Sequence, residues 1–245
     1  MSKIDPKKLI YEGCDLEAMA QAPNYYQWLI KIVRPYIGNK VVEVGAGAGS
    51  FSKELLKVKP KIAVFLEPTK NMYKILTNKL SKKKQKETKI ITANKYLTDY
   101  QLELKKLQPN SFIYINVFEH IENDYQEISI AKKILKKGDY IIIFVPAHNA
   151  LLSNFDRRIG HYRRYSKKSL RMLAQKADLD VVELRYMDII GTIPWLINFK
   201  ILKKNTLNPE LVEVYDRFFI PVIRLVESKI KMPFGKNVLL VARKK

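Results

Sequence analysis

A single cysteine, Cys14, stands among 245 residues, which excludes an internal disulfide and any Cys-based metal site. A reducing compartment fits that usage. Long apolar runs are also missing. The longest, Ile189 to Phe199, is broken by Gly, Thr, Pro and Asn and is too short to span a bilayer. The opening stretch MSKIDPKKLIYEG has no apolar segment of the kind that secretory signals carry. Acidic residues are scarce beside basic ones, 24 against 45, leaving a formal net charge of +21. Such a field attracts nucleic acid, anionic headgroups or phosphorylated substrates. Much of the excess sits in scattered runs such as Lys82, Lys83, Lys84 and Lys86, and reads as solvated surface.

What is present is a core. Hydrophobic residues make up 47% of the chain, enough for one α/β domain with an appendage. Strand-like and helix-like segments alternate, as in a parallel sheet wrapped by helices. Strands are expected at Lys40–Val44, Ile62–Leu66, Lys89–Thr92, Ser111–Ile115, Asp139–Val145, Val181–Tyr186 and Asn237–Ala242. Helices are expected at Asn24–Ile37, broken by Pro35, then at Ser50–Lys57, Thr69–Leu80 and Leu102–Leu107. Another runs from Asn123 to Leu135, stopped at Gly138, and one is capped by Ser166. The lysine-rich SKKKQKETK reads as an exposed loop.

The most informative stretch is VVEVGAGAGS, residues 41–50. A strand, three alternate glycines and a helix make the geometry in which a ligand meets a helix N-terminus. Glu43 sits at the end of that strand. Glu67, at the end of the next, can accept both hydroxyls of a ribose. A dinucleotide fingerprint wants Gly or Ala where Ser50 stands, which counts against a nicotinamide dehydrogenase, as does the lack of a second domain.

The pattern E-x-G-x-G-x-G resembles the class I S-adenosylmethionine-dependent methyltransferases. PNYYQWLIKIVRPYIGNKVVEVGAGAGSFSKEL, FLEP, SFIYINVFEHIENDYQEI, LKKGDYIIIFVPAH and PFGKNVLLVARKK are similar to segments of a bacterial type 11/12-like group. FDRRIGHYRRYSKKSL resembles its GHYRRY loop. Lys137 stands where that group usually has proline. The resemblance implies a Rossmann-like, seven-stranded, mostly parallel sheet with helices on both faces, an antiparallel last strand, and a helical insert between strands six and seven. It divides a single methyltransferase domain, 1–245, into N-terminal helices (1–38), a cofactor-binding core (39–186), an apolar insert or lid (187–235) and the last strand (236–245).

It also implies S-adenosylmethionine as cofactor, with S-adenosylhomocysteine as product. Tyr26, Glu43, Gly45, Gly47 and Gly49 are carried over to its methionine and ribose end, Glu67 and Pro68 to the ribose, and Asn116, Val117 and Phe118 to the wall beside the sulfonium. Asn94 stands where the group often has an Asp near the adenine. No metal is implied.

Methyl transfer is an in-line displacement, and a general base is needed only if the nucleophile must lose a proton. His161 and His148 are the candidates. His120 reads better as a hydrogen-bonded loop histidine. Arg163, Arg164, Tyr165 and Trp195 are candidates for holding the acceptor, although an internal network built on Asp156 would explain the arginines equally well. In the insert, Glu213, Asp216, Arg217, Arg224, Glu227 and Ser228 share one helical stripe and the rest is broadly apolar. That reads as a lid, as a pocket for a lipid-like acceptor, or as a surface touching a membrane.

The sequence therefore points to a methyltransferase acting on a small-molecule or lipid-linked acceptor, cytoplasmic and either soluble or peripheral at the inner face of the membrane. An adenine amino methyltransferase would show [DN]-[PL]-P-[YFW] where this chain reads NVFE, and Cys14 lies too far upstream to serve a cytosine enzyme. Nucleic acid is thus the less favoured partner. The alternatives are an RNA-directed enzyme and a non-catalytic binding protein.

Overall fold

The computed structural model describes residues 18–81 and 87–245. Cys14, the opening stretch and most of the lysine-rich segment lie outside them.

The sheet consists of β1 (Lys40–Val44), β2 (Ile62–Leu66), β3 (Lys89–Ala93), β4 (Ser111–Ile115), β5 (Tyr140–Pro146), β6 (Leu179–Met187) and β7 (Asn237–Lys244). The order across it is β3-β2-β1-β4-β5-β7-β6. All pairs are parallel except those of β7, which runs antiparallel to both β5 and β6. Central strands covered on both faces read as unbroken apolar runs, and the YIIIFVP of β5 is buried from Ile141 onward.

The side chains of each strand alternate between two cores. Val42 and Val44 of β1 join one core with α4 (Leu97–Leu107), α5 (Asp124–Ile134) and α7 (Lys167–Lys176). Val41 joins the other with α1 (Pro23–Val33), α2 (Ser50–Leu55) and α3 (Lys70–Ser81). Between them in sequence, α6 (Asn154–Arg158) is a single short turn.

Several boundaries differ from expectation, three of them with a clear physical reason. Helix α4 begins at Leu97 rather than Leu102; it buries only Leu97 and Leu104, so its apolar period is faint. Helix α5 ends at Ile134, one residue short of the expected Leu135, and Gly138 is not its stop, because Leu135 is extended and Asp139 accepts from the Lys136 amide at 2.8 Å to form a separate turn. Strand β6 is longer than expected and carries an irregularity between Val181 and Glu183.

The insert holds α8, Thr192–Trp195 continued by the π-helical stretch Leu196–Ile201, and α9, built from Pro209–Val214, a π-helical stretch Tyr215–Phe219 and Ile220–Glu227. The wider turn lies just before Pro221, where a regular helix would lose a hydrogen bond. The polar stripe of α9 does not simply face water. Asp216 accepts from the Asn24 and Tyr25 amides at 2.9 and 2.8 Å, so it caps α1, whose own N-cap, Ala22, offers no side-chain bond. Glu227 accepts from the Asp188 and Ile189 amides at 3.2 and 3.0 Å. Ile220 and Ile223 pack on the same side into the core.

The order 3-2-1-4-5 places the point at which the strand order reverses between β1 and β4. A crevice opens there at the carboxyl ends of the strands.

Candidate active site

That crevice is a cavity of about 640 Å³. One end is built by the glycine loop. Gly45, Gly47 and Gly49 all have positive φ, at 69°, 53° and 75°. A Cβ at Gly45 would meet Val117 Cγ2 at 2.6 Å, so main chain and β4 loop touch directly. Gly45→Ala should therefore add about 1–2 kcal/mol of backbone strain to that collision. Thermal unfolding is expected to come earlier by several degrees, at about 2–4 °C per kcal/mol for a chain of this size.

The Glu67 carboxylate ties this loop to β2. It accepts from the Gly47 amide at 2.8 Å, the Thr69 amide at 2.8 Å and the Thr69 hydroxyl at 2.5 Å. Burial raises its affinity for a proton, and the bonds from Thr69 and Gly47 oppose that shift. It lines the cavity with lone pairs to spare.

Two further acceptors here have no partner. Glu43 Oε2 and Asn116 Oδ1 are both buried without a hydrogen bond. Burial lifts the Glu43 carboxyl to about 8, and Glu67 nearby adds to the shift. Asn116 itself is held at φ 54° by its amide bond to Phe144 O. Unsatisfied buried acceptors beside a bare backbone loop suit a ligand that carries an ammonium group and a ribose.

The other end of the cavity is built by the loop between β5 and α7. Asp156 is fully buried at its centre. Its Oδ2 accepts from the Ser153 amide and hydroxyl, both at 2.7 Å. Its Oδ1 accepts from Arg164 Nη2 at 2.7 Å and Nε at 3.1 Å, and pairs with His161 Nδ1 at 2.9 Å. Burial pushes this carboxyl up, but the bonds from His161 and the Arg164 guanidinium outweigh it and hold it at about 2. His161 Nε2 faces Glu119 Oε1 at 3.9 Å. Both Glu119 oxygens lack a hydrogen bond, and burial raises the group to about 7 against the pull of His161. The His120 ring meets His161 edge-on at 4.6 Å and is kept neutral, lowered to about 3 by burial and by His161. Glu119, His120 and His161 each present a ligating atom, all within 4.8 Å of one another, so the cluster has a donor set that could also hold a metal ion.

Of the sequence candidates, Tyr26, Glu43, Gly45, Gly47, Glu67, Pro68, Asn116, Val117, His161, Arg164 and Trp195 line the cavity. Gly49 lies behind the wall, where a Cβ would meet Leu76 Cδ1 at 2.8 Å. Five others do not line it. Phe118 is core, packed against Tyr114 at 4.8 Å, because the short helical turn Phe118–His120 rotates it inward and Glu119 and His120 outward. Asn94 directs its amide to the carbonyls of Glu67 and Pro68, both at 2.8 Å, leaving the wall to Tyr96, Leu97 and Thr98. His148 turns away at φ 61° and stacks on Tyr186. Arg163 bonds Asp124 and Glu122 O, and Tyr165 donates to Phe118 O and Asp124. Glu119, which the sequence reading does not single out, and His120, which it takes for a hydrogen-bonded loop histidine, both line the cavity; the sequence signal for them is their place directly after β4.

The sheet order and the site at its switch point define a Rossmann-like methyltransferase. Residues 24–184 match the methyltransferase domain family, and the chain belongs to that family, with S-adenosylmethionine as cofactor. Solved structures share the fold. A SAM-dependent methyltransferase from Archaeoglobus fulgidus is 15% identical with a TM-score of 0.61, over 91% of this chain and 94% of that one. Phosphoethanolamine N-methyltransferase 2 of Haemonchus contortus, solved with S-adenosyl-L-methionine, is 13% identical with a TM-score of 0.61, over 99% of this chain and 60% of that one. Magnesium protoporphyrin IX methyltransferase from Synechocystis PCC 6803, solved with SAM, is 11% identical with a TM-score of 0.53, over 94% and 81%. No curated protein matches the sequence.

Proposed function

We propose that this methyltransferase acts on a small-molecule or lipid-linked acceptor that enters past Trp195 and meets His161. The observation that carries the reading is the His161–Asp156 pair at 2.9 Å, set in the wall of the same cavity as the glycine loop. S-adenosylmethionine, when bound, supplies a methyl group already activated on a sulfonium.

The residues of the chain divide the remaining work. Glu43 and Asn116 hold the amino-acid end, Glu67 the ribose, and Tyr26, Pro68 and Val117 the walls. Asp156 fixes the His161 tautomer through Nδ1, leaving Nε2 directed into the cavity as base for the acceptor proton. Glu119, raised to about 7 by burial, faces Nε2 at 3.9 Å from the cavity wall, placed to take up or return that proton. Arg164 acts as a positioning residue: it neutralises Asp156 and stacks on Trp195 at 4.4 Å. The phosphoethanolamine and protoporphyrin enzymes named above act on small molecules, which agrees with this reading, and an apolar wall of Phe155, Ile159 and Trp195 favours an acceptor with apolar parts.

The test is transfer of labelled methyl from S-adenosylmethionine to total cell extract, followed by phase partition. Label in organic-soluble or small aqueous products is the expected outcome, whereas label confined to RNA, or none at all, overturns the reading. His161→Ala is expected to lower kcat about 10²–10⁴-fold while calorimetric cofactor affinity stays as it was.

A further inference from the structure

Most of the exposed large apolar side chains among the described residues fall between Ile193 and Phe234. They are not scattered. On α9 the inward face is Asp216, Ile220, Ile223 and Glu227, at spacings of four, three and four. The opposite face carries Val214, Phe218, Val222 and Leu225, with Phe218 60% and Leu225 62% exposed. On α8, Phe199 is buried and Trp195 turns to the cavity, while Ile193, Ile197 and Ile201 face out, Ile193 at 62% and Ile201 at 65%. This departs from the usual arrangement, in which the face of an amphipathic helix turned away from the core is polar. Patches of this kind on a soluble chain mark an interaction site.

The charges around the patch indicate its occupant. Lys200, Lys203, Lys204, Arg217, Arg224 and Lys229 are all exposed on these two helices and their connections. The exposed acids of the same region are Glu210 and Glu213, because Asp216 and Glu227 are turned inward. An apolar face rimmed by cations complements an anionic lipid surface, where the side chains enter the acyl boundary and the cations meet headgroups. No helix among the described residues is long and apolar enough to cross a membrane.

We propose that the outer faces of α8 and α9 dock this enzyme onto an anionic bilayer. The same insert supplies Trp195 and Leu207 to the cavity wall, so the docked face adjoins the site. A lipid-linked acceptor then reaches His161 without leaving the interface; that last step rests on the function proposed above, whereas docking itself does not.

The experiment is flotation of the full chain with vesicles of phosphatidylcholine alone and of phosphatidylcholine with phosphatidylglycerol in equal parts, at low and high salt. Binding to the mixed vesicles is expected, weakened by salt. Phe218→Glu and Leu225→Glu, made separately, should each lower vesicle affinity by about tenfold or more, since each removes an apolar side chain whose burial in the bilayer is worth at least that factor. Both positions are exposed, and S-adenosylmethionine binding by calorimetry reports that the variants remain folded. Absence of flotation at low salt overturns the proposal, as does flotation that both variants leave unchanged. A concentration-dependent dimer abolished by the same variants, without vesicle binding, assigns the face to a second copy and also overturns it. Failure of labelled methyl transfer with intact flotation would remove the acceptor reading and leave the docking surface standing.

Discussion

Binding of S-adenosylmethionine should tighten as pH rises, by roughly tenfold per unit up to about 8, and then level off. The cause is Glu43. Its carboxyl is buried 2% exposed at the end of β1, with Oε2 unpartnered, and burial lifts it from an ordinary 4.5 to about 8. In the free protein near neutral pH it is therefore mostly protonated. The proposed pairing of Glu43 with the ammonium of the cofactor requires the carboxylate, so a proton must leave on binding. Calorimetry in buffers of different ionisation enthalpy should show close to one proton released per site below about pH 7, falling towards none above about 9. Glu43→Gln should bind more weakly and lose the pH dependence. An equally steep profile in Glu43→Gln would assign the proton elsewhere and remove Glu43 from the ammonium site.

The same shift has a consequence for folding, opposite in sign. A carboxyl whose proton affinity is raised by folding stabilises the native state fully below its unfolded value, and that contribution is lost as pH climbs through the folded one. Glu43 at about 8 and Glu119 and Glu127 at about 7 all act this way. The unliganded protein should thus lose stability from about pH 5 towards 8, with part of the loss recovered by the cofactor.

The largest effect on stability is expected from Asp156→Ala, at about 3–5 kcal/mol. Thermal unfolding should come earlier by on the order of 10 °C. The carboxylate receives bonds from Ser153, His161 and Arg164, and its removal leaves the Arg164 guanidinium, 3% exposed, without its counter-charge. It also breaks the capping box that starts α6. Replacing both members, as Asp156→Leu with Arg164→Met, should recover much of the loss, because the cost lies mainly in the uncompensated charge. Recovery by less than about a third of the loss would mean that the cap and the His161 contact dominate instead. At low pH the sign follows the depressed carboxyl: Asp156 stabilises above its ordinary range and the contribution disappears as pH falls through about 2.

Several parts of this site were legible in the chain as written. The glycine loop and Glu67 announce themselves by spacing, since alternate glycines after a β-branched strand mark a turn that runs through positive φ, which other residues rarely adopt. The network alternative for the arginines proved right for Asp156 and Arg164. Other parts were not legible. Arg163, Arg164 and Tyr165 are consecutive, yet only Arg164 turns into the cavity, because neighbouring side chains in an extended loop point to opposite sides. Phe118 looked like a wall residue and is core, because one tight turn at Phe118–His120 exchanges it with Glu119 and His120.

The sequence alone determined the strands, their parallel core and the place of the glycine loop, since period, β-branching and glycine spacing are local properties. Only the tertiary structure decided which face of α9 meets the core. Periodicity separates a polar stripe from an apolar one, and the usual expectation sends the polar stripe to water. Here the otherwise unsatisfied amides of Asn24 and Tyr25 at the start of α1, and those of Asp188 and Ile189, draw Asp216 and Glu227 inward. Buried amides need acceptors more than those apolar side chains need cover, and that requirement exists only once distant segments have met.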